Sequence, residues 1–523
     1  MGGIRGAKGL EIIMKFQERS FLVKEGYLRR GDQKRFYPFV FEVPEGIGEI
    51  RVKFSYSPRI LKNKEKNYQM IGGAIEEYVK DYPQKEKVST FLTLIKDAYP
   101  LIKNAYPLRN LLNLSLYDAK GSFVGRWDQN SERPVRISST YSSPGFTSCK
   151  IIPGFWKVEM ETHAIVTEEC KYRLEISSIQ RTNGENFSSF KKKLINSSSY
   201  RDNKGWYRGE LHVHSHHSDG KNTLPEIIEG TKREGLDFIA LTDHNTVSGF
   251  SSIPMREDLL IIKGMELTTY YGHALALGIT SFIDWHSKER MRNINDIIDE
   301  VHSQKGLFAI AHPFCIGDPV CSGCTWKLRN IDYQKVDLIE VWAGCWKNRK
   351  IENYKSFRLW DKLLNRGLKV VGISGRDWHD VNERKSDGIP KTFVYADSLS
   401  EDEILKGLRK GQVFVSSGPQ LFFSAECEDK RYKCGDEIKL TEKKIVSFQI
   451  QVENLKELCQ LQVIKNGLRF LSRFLKEGKS QRIEFSDLPE EESWYRCEIY
   501  TKEDKELLCF TNPISITPLL KKQ

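Results

Sequence analysis

The chain has 523 residues, of which 39% are hydrophobic and 29% are charged, and its formal net charge is +11. It is too long for one hydrophobic core, and its composition excludes a fibrous or intrinsically disordered protein. No apolar run approaches the roughly 20 residues that span a bilayer, and the basic N-terminus lacks a signal-peptide core. We therefore expect a cytoplasmic protein with no membrane partner.

The eleven cysteines are scattered along the chain. In a long chain this is typical of reduced thiols rather than of a disulfide framework. The excess of basic residues is compatible with an anionic substrate or a nucleic acid. Its clusters, such as residues 29–35 and 191–193, are short, and a solvated surface is the simpler interpretation.

Residues 37–179 alternate apolar and polar side chains between Gly, Pro, Asp and Asn turn signals. This pattern predicts a β-sandwich. A Lys/Glu-rich, partly helical insertion interrupts it at about residues 62–104, and the polar stretch at 188–205 is predicted to be a linker. We assign residues 15–205 to this N-terminal domain.

From Trp206 onward, short apolar runs alternate with helical patterns, as in "LDFIALTDH", "LFAIAHP" and "VDLIEVWAG". Repeated strand and helix units predict an α/β domain with a parallel sheet, and their number favours a barrel. We assign residues 206–420 to this domain. β patterning returns in residues 421–523 and predicts a small C-terminal sandwich.

Ten of the eleven histidines lie between residues 212 and 379, most of them where an apolar run ends. In barrel enzymes these strand ends are where active sites assemble. Together with acidic residues, the candidate metal ligands are His212, His214, Asp219, His244, Glu266, His273, His312, Asp377 and His379. Imidazole and carboxylate donors suit Zn, Mn or Fe ions. Because there are too many donors for one tetrahedral ion, we predict a multinuclear site.

The segments "HVH", "TDH", "GMELT", "GHALALG", "AHP" and "DWH" follow one another along the chain. Their order resembles the motifs of the PHP (polymerase and histidinol phosphatase) superfamily. The stretch "WYRGELHVHSHHSDG", preceded by a sandwich, resembles the CehA/McbA-type branch of its metallohydrolases. The resemblance covers about residues 206–420 and implies a distorted (β/α)7 barrel, here flanked by an N-terminal and a small C-terminal β-sandwich.

The resemblance also implies two to three divalent metal ions. The first would be held by His212, His214, Glu266 and Asp377, the second by Glu266, His273 and His312, and the third by Asp219, His244 and His379. The two ions that Glu266 bridges would lie about 3.5–4 Å apart and flank the hydroxide that acts as the nucleophile.

Charge counting favours an anionic substrate. Three dications outweigh three carboxylates and a hydroxide by about two charges, which suits a phosphate and the charge that develops in its transition state. Glu266 and Asp377 are thus predicted to be catalytic as well as ligands. Arg376 is a candidate for pairing with the phosphoryl group. Adjacent strand residues face opposite ways, however, so a structural role for Arg376 is an equal alternative.

Other polar residues near the motifs have weaker assignments. His217 is a candidate for substrate contact or for support of a ligand, against simple exposure. Asp243 is expected to orient a neighbour, and Glu340 is a candidate supporting residue. His286 and His302 match no motif and are expected to be structural.

The segment "CSGC" at residues 321–324, with Cys315 and Cys345 nearby, invites a separate zinc site. One isolated C-x-x-C in a loop is weak evidence for such a site. The alternative is that residues 313–332, which follow a barrel strand, fold over the metals as a substrate cap.

The predicted function is a metal-dependent phosphoesterase that hydrolyses a small phosphomonoester or phosphodiester. A nucleotide or a nucleic-acid 5′ end, as for an exonuclease, is a variant of that substrate. Two alternatives stay open at this point. One is a carbamate, ester or amide hydrolase of the carbaryl-hydrolase type, and the other is a non-catalytic protein that binds a carbohydrate or a partner through its sandwiches.

Overall fold

The computed structural model describes residues 18–80, 103, 106–128, 134–180, 201–254, 259–287, 290–383 and 388–518. Much of the predicted insertion and linker, and the basic cluster at 191–193, lie outside these residues. Among the described residues, no helix is long and apolar enough to cross a membrane. The predicted domain boundaries at 205/206 and 420/421 stay predictions.

The N-terminal part contains eight strands in two antiparallel sheets. They are β1 (Glu18–Leu28), β2 (Arg35–Val43), β3 (Ile47–Ser57), β4 (Leu111–Tyr117), β5 (Phe123–Trp127), β6 (Val135–Ser138), β7 (Gly154–Ala164) and β8 (Cys170–Gln180). The strand orders are β1-β8-β3-β6 and β2-β7-β4-β5. Ile50 of one sheet and Trp156 of the other are buried in one shared apolar core, which makes this part a β-sandwich. Helix α1 (Lys64–Val79) follows β3 and begins at Asn63, whose side chain accepts a hydrogen bond from the Lys66 N–H.

The central part is built around a mixed sheet, in which four of the eight strand pairs are parallel and four are antiparallel. Its strands are β9 (Gly205–Val213), β10 (Phe238–Leu241), β11 (Leu260–Thr268), β12 (His273–Leu277), β15 (Leu307–Ile310), β16 (Leu338–Ala343), β17 (Val371–Gly375), β18 (Lys391–Ala396) and β19 (Val413–Ser416), with the short hairpin β13 (His286–Ser287) and β14 (Arg290–Met291). Its helices are α2 (Leu224–Glu234), α3 (Ile294–Ser303), α4 (Lys350–Leu364) and α5 (Glu401–Lys410). The strand order is β17-β16-β15-β12-β11-β10-β9-β18-β19.

The alternation of strand and helix that a (β/α)7 barrel requires is only partial in the described residues. Strand β12 pairs antiparallel with both β11 and β15, whereas β9, β10 and β11 pair in parallel. The connection from β11 to β12 spans residues 269–272, and a hairpin of this length has no room for a crossover helix. The seven strands from β17 to β9 in this order have β17 and β9 at their two ends. These two ends still meet, because Val213 of β9 forms a parallel bridge with Trp378, which follows β17.

The C-terminal part is again all β. It contains β20 (Gln420–Cys427), β21 (Lys430–Lys433), β22 (Glu437–Leu440), β23 (Val446–Leu455), β24 (Cys459–Lys465), β25 (Leu468–Leu475), β26 (Gly478–Asp487), β27 (Ser493–Thr501), β28 (Leu507–Thr511) and β29 (Ile514–Pro518). Strands β21-β20-β23-β26 form one sheet, while β28-β27-β24-β25 continue the central sheet beyond β19. Phe448 and Tyr495 lie in the core between the two layers, with ring centroids 4.7 Å apart.

The flanking parts are fastened to the central sheet by buried contacts. Phe36 of the N-terminal sandwich packs against Trp285, with ring centroids 5.0 Å apart. On the other side, Phe510 of β28 lies 5.5 Å from Trp360 of α4. The side-chain amide of Asn512 exchanges two hydrogen bonds of 2.8 Å with the backbone of Gly372 in β17.

Candidate metal centre

Strand β9 and the residue that follows it carry the first two candidate ligands on one face. His212 and His214 are both buried, while Val213 between them packs into the core on the opposite face. This separation follows from the two-residue period of a strand. The His214 N–H donates to the Trp378 carbonyl and the Trp378 N–H donates to the His212 carbonyl, both at 2.9 Å. These bonds bring the residues on either side of Trp378 next to β9.

Glu266, near the end of β11, is held beside the segment that follows β10. His244 and Glu266 form a parallel bridge, and the Asn245 N–H donates to the Glu266 carbonyl at 2.9 Å. His273 begins β12 and pairs with Thr268 across the hairpin. Because parallel and hairpin pairing converge here, side chains distant in sequence meet at one edge of the sheet.

The structure brings all nine predicted ligands together in three overlapping groups. Within each group, ligand atoms lie within 4.8 Å of one another, and the groups are His212, His214, Glu266 and Asp377; Glu266, His273 and His312; and His214, Asp219, His244 and His379. These sets match the three that the resemblance implied, except that His214 also joins the third. Metal binding by these residues stays a prediction.

Glu266 lies at the centre of the arrangement. Its Oε2 is 3.2 Å from His212 Nε2, 3.3 Å from His214 Nε2 and 2.9 Å from His244 Nδ1. Its Oε1 is 3.0 Å from His273 Nδ1 and 3.2 Å from His312 Nε2. One carboxylate therefore faces two sets of imidazoles through its two oxygens.

Several of these atoms are buried and make no hydrogen bond within the described residues. They are Nε2 of His212, both ring nitrogens of His214, Oε2 of Glu266, Nε2 of His273, Nδ1 of His312 and Oδ1 of Asp377. Leaving so many buried polar atoms unpartnered costs about 1–3 kcal/mol each. Divalent cations would compensate this cost by accepting the lone pairs. The nitrogen and oxygen donors thus fit divalent metal ions of the Zn, Mn or Fe type.

The carboxylates of the site are strongly biased toward the ionised form. Burial alone would raise the pKa of Glu266, but His212, His244 and His273 outweigh it and hold this pKa well below its usual range. Burial alone would also raise the pKa of Asp377. His379 and His212 outweigh this effect, so the pKa of Asp377 is also well below its usual range. Ionised carboxylates are the form that binds a cation.

Glu210 behaves in the opposite way. Burial raises the pKa of Glu210 to about 7, although backbone N–H groups of Arg376 and His212 partly offset that shift. Its Oε1 accepts these two bonds at 3.0 and 3.1 Å. Glu210 therefore ties β9 to the backbone just before Asp377. Glu210 was not among the residues predicted from the sequence, where its only signal is its position two residues before His212.

Glu340 of β16 orients two candidate ligands. Its Oε1 lies 2.9 Å from His212 Nδ1, which leaves Nε2 for the cluster, and its Oε2 accepts the His312 N–H at 2.7 Å. A Cβ at Gly375 would lie 1.9 Å from Glu340 Oε1, so only glycine fits there. Carboxylates that hold the second nitrogen of a ligating histidine fix its orientation and raise its basicity.

Two of the candidate ligands have a strained backbone. His312 has a φ of 26° and Asp377 a φ of 56°, a region that non-glycine residues rarely adopt. Such strain costs of the order of 1–3 kcal/mol and persists where the surroundings fix the conformation. Here it directs the imidazole and the carboxylate into the cluster immediately after β15 and β17.

Three other predicted residues lie around the cluster. Asp243 accepts hydrogen bonds from the backbone and hydroxyl of Ser215 at 2.7 and 2.8 Å, so it orients its neighbours. His217 is half-buried, with Nδ1 2.8 Å from Ser248 Oγ. The guanidinium of Arg376 stacks 4.4 Å from the Trp378 ring and lies 3.8 Å from Glu234. The structure therefore does not bring Arg376 into the cluster.

A different arginine lies beside the centre. The side chain of Arg349 passes over Gly344, where a Cβ would lie 3.1 Å from Nε, and the Gly344 N–H donates to the Gly375 carbonyl at 2.9 Å. Burial alone would lower the pKa of Arg349, but Glu352, Cys315 and Asp377 outweigh it and raise this pKa. Arg349 was missed from sequence because no motif includes it.

The N-terminal sandwich reaches the rim of the centre through Gly145. The Gly145 carbonyl accepts a hydrogen bond from Thr246 Oγ1 at 3.1 Å, and its N–H lies 3.4 Å from His217 Nδ1. Its φ is +87°, and a Cβ there would lie 2.3 Å from the Arg126 carbonyl oxygen. The sandwich thus forms one side of the approach to the cluster.

Residues 210–288 match the family model described as the PHP domain. Among curated relatives, an uncharacterized protein of Methanocaldococcus jannaschii is 22% identical over 149 residues, 26% of this chain and 82% of the relative. A phosphoribosyl 1,2-cyclic phosphate 1,2-diphosphodiesterase of Eggerthella lenta is 30% identical over 79 residues, 13% of this chain and 30% of the relative. An error-prone DNA polymerase of Symbiobacterium thermophilum is 30% identical over 141 residues, 26% of this chain and 12% of the relative.

Solved structures show weaker likeness. One is a two-domain protein of Bacteroides vulgatus that contains a predicted PHP-like metal-dependent phosphoesterase. It is 16% identical, the match covers 62% of this chain and 100% of that chain, and the TM-score is 0.36. Another is an amidohydrolase of Chromobacterium violaceum with bound sulfate, with 15% identity, coverage of 34% and 88%, and a TM-score of 0.25. Likeness at this level assigns neither fold nor activity. The segment that is similar to the PHP domain, residues 210–288, holds six of the nine clustered side chains.

Proposed function

We propose that the protein is a metal-dependent phosphoesterase that hydrolyses a small, anionic phosphomonoester or phosphodiester. The observation that carries the proposal is the sharing of Glu266 by two groups of buried imidazoles, in each of which some ring nitrogens make no hydrogen bond within the described residues. Such an arrangement is suited to two adjacent cations, and paired cations are a recurrent solution for phosphoryl chemistry.

In this proposal the chain holds the ions in the same three groups. The first site is His212, His214, Glu266 and Asp377, the second is Glu266, His273 and His312, and the third is Asp219, His244 and His379. Divalent ions bound there would supply Lewis acidity toward a phosphoryl oxygen and lower the pKa of bound water to about 7. The chain's contribution is to fix the donors, with Glu340 orienting His212 and His312.

Arg349 favours a negatively charged substrate. It is four-fifths buried, and its Nη1 is only loosely paired with Glu352, at 3.3 and 3.5 Å. A guanidinium at this place would bind a phosphoryl oxygen and neutralise charge on the substrate. The relative that is a diphosphodiesterase matches this chain over 79 residues, which supports a phosphoester substrate.

The position of the N-terminal sandwich supports a small substrate or a chain end. Gly145 and His217 stand against one another at the rim, so the approach is bounded by two parts of the protein. A nucleotide or a nucleic-acid 5′ end is a variant of the same substrate class. Membership in the CehA/McbA-type branch is a further element of this proposal.

A substrate panel tests the proposal. Metal content is measured first, and then p-nitrophenyl phosphate, its bis-ester, a carbamate ester and a 5′-labelled oligonucleotide are assayed with and without Mn²⁺. We expect phosphoester turnover that Glu266→Gln abolishes and that Glu229→Gln, on the exposed face of α2, leaves unchanged. Turnover of the carbamate alone would replace the proposal by a carbamate hydrolase. A fully metallated protein that turns over none of the four would favour the binding-protein alternative.

A further inference from the structure

Three cysteines converge in the loop that follows β15. The Sγ atoms of Cys315, Cys321 and Cys324 lie within 4.8 Å of one another, and Cys321 and Cys324 are paired as a disulfide in the structure. In the described part of the chain, four groups of three or more potential metal ligands converge, and this is the one made of thiols. The sequence placed both Cys315 and Cys345 near the C-x-x-C, and the fold brings Cys315 into the group.

The three sulfurs converge closely enough for one ion to contact all of them once the disulfide between Cys321 and Cys324 is reduced. With Zn–S bonds of about 2.3 Å in tetrahedral geometry, two sulfurs bound to one ion lie about 3.8 Å apart. The C-x-x-C turn places two sulfurs on one side of the loop. Gly323 within it has a φ of +76°, and a Cβ there would lie 2.3 Å from the Thr269 carbonyl oxygen, so the turn is held against the neighbouring hairpin.

The surroundings favour a bound cation over free thiols that only fill space. Cys315 and Cys324 are buried in an apolar cluster that includes Tyr78 and Ile351. A bound cation deprotonates its thiol ligands outright. The Arg349 Nη1 lies 4.0 Å from Cys315 Sγ and is placed to stabilise the resulting thiolate.

The loop is connected directly to the candidate metal centre. The Cys315 N–H donates to the His312 carbonyl at 2.9 Å, and the Thr325 hydroxyl donates to the Cys315 carbonyl at 2.6 Å. Trp326 packs against Gly272, which precedes His273. An ion bound by the three sulfurs would therefore fasten the loop that carries His312 and packs against the residue that precedes His273.

We propose that Cys315, Cys321 and Cys324, when reduced, bind a thiophilic divalent ion such as Zn²⁺ in a structural site distinct from the His/carboxylate cluster. The disulfide is the oxidised, metal-free state of the same three residues. A phosphine reductant converts it to two thiols, and the phosphine takes up the oxygen of one water molecule to become the phosphine oxide. Binding of the ion then releases the thiol protons to solvent.

The test uses Co²⁺ as a spectroscopic substitute in the full chain. Protein reduced with a phosphine and stripped by chelation is titrated with Co²⁺, and the near-ultraviolet band of thiolate-to-Co²⁺ charge transfer is recorded. The His/carboxylate cluster contains no sulfur and cannot give this band. We expect the band in the reduced wild type, its loss in Cys321→Ser/Cys324→Ser, and its retention in Cys149→Ser, a half-buried cysteine of the N-terminal sandwich.

A second measurement covers the case in which the double variant does not fold. X-ray absorption of the reduced, zinc-loaded wild type should show sulfur scatterers at about 2.3 Å in addition to nitrogen and oxygen. Absence of the charge-transfer band in the reduced wild type would overturn the proposal. So would a zinc environment without sulfur, or an unchanged band in a folded Cys321→Ser/Cys324→Ser variant. None of these outcomes bears on phosphoester turnover.

Discussion

The carboxylate of Glu340 lies 2.9 Å from Nδ1 of His212 and simultaneously accepts the backbone N–H of His312. One residue from β16 therefore orients side chains that belong to two different groups of the candidate centre. Its role depends on Gly375, because any side chain there would occupy the space of the carboxylate.

We expect Glu340→Gln to weaken metal retention by about 10–100-fold, the usual cost of losing a residue that orients a ligand. The reason is that an amide is a weaker acceptor for the His212 ring N–H and places its NH₂ group against a donor. Metal content after equilibrium dialysis against graded chelator measures the effect, with Glu229→Gln as the matched exposed control. Equal retention by both variants would argue against an orienting role for Glu340.

Arg349 should matter more for highly charged substrates. We expect Arg349→Gln to lower kcat/KM for a phosphomonoester by about 10–100-fold, corresponding to the 1.5–3 kcal/mol of a charged hydrogen bond. The loss should be smaller for the bis-ester, which carries less charge, and the metal content of the His/carboxylate cluster should not change. Arg349→Lys should restore part of the activity. Equal losses for both esters would assign Arg349 a structural role instead.

The contact between the sandwich and the rim gives a prediction on stability. Gly145→Ala would place a methyl group 2.3 Å from the Arg126 carbonyl oxygen, in addition to the left-handed backbone strain. Gly46 has a similar φ of +82° with no atom within 4 Å of an added Cβ. Gly46→Ala should therefore lower the free energy of unfolding by only about 1–2 kcal/mol, the cost of the left-handed conformation. Gly145→Ala should cost more in the free energy of unfolding by urea, and it should also change KM because His217 moves.

The junction between the sandwich and the hairpin β13–β14 predicts a pH dependence. His286 lies 2.6 Å from Glu159 and 2.7 Å from Asp284. Burial alone would lower the pKa of His286, but these two carboxylates outweigh it and raise this pKa to about 10. A pKa raised above its unfolded value of about 6.5 gives stability that is complete below pH 6.5 and is lost as the pH rises through 10.

This dependence is measured as the free energy of unfolding at pH 6.5 and pH 9.5, with chelator present so that metal binding does not contribute. The wild type should lose stability between the two values. His286→Gln should be less stable at pH 6.5 and should lose less on going to pH 9.5. Parallel losses in the two proteins would mean that other groups set the dependence.

The candidate ligands were predictable from sequence because most of them end or begin an apolar run, whereas their division into three sets came from the resemblance to the PHP superfamily. His212, Asp377 and His312 follow this rule, and the C-terminal ends of parallel strands share one edge of a sheet. The role of Arg376, in contrast, could not be predicted from the local sequence pattern. The alternation of strand side chains left two roles open for it, and the contact with Glu234 is a tertiary feature.

The parts that sequence did not provide depend on contacts between distant segments. The antiparallel insertion of β12 replaces a predicted strand and helix unit by a hairpin, and nothing in its apolar pattern indicates strand direction. Arg349 lies 28 residues before Asp377 and reaches the centre only because Gly344 and Gly375 are hydrogen-bonded neighbours. Gly145, which contacts His217, belongs to the N-terminal sandwich and lies 72 residues earlier in the chain.

The continuation of the central sheet into β28 has a consequence for shortening the chain. Strand β19 pairs with β28 from Phe414 to Ser416, and Phe510 covers Trp360. A polypeptide that ended at residue 420 would expose both the free backbone groups of β19 and an indole normally kept dry. Open strand edges of this kind recruit other chains, so such a fragment should self-associate. The C-terminal layer therefore protects the central sheet from aggregation by covering its edge.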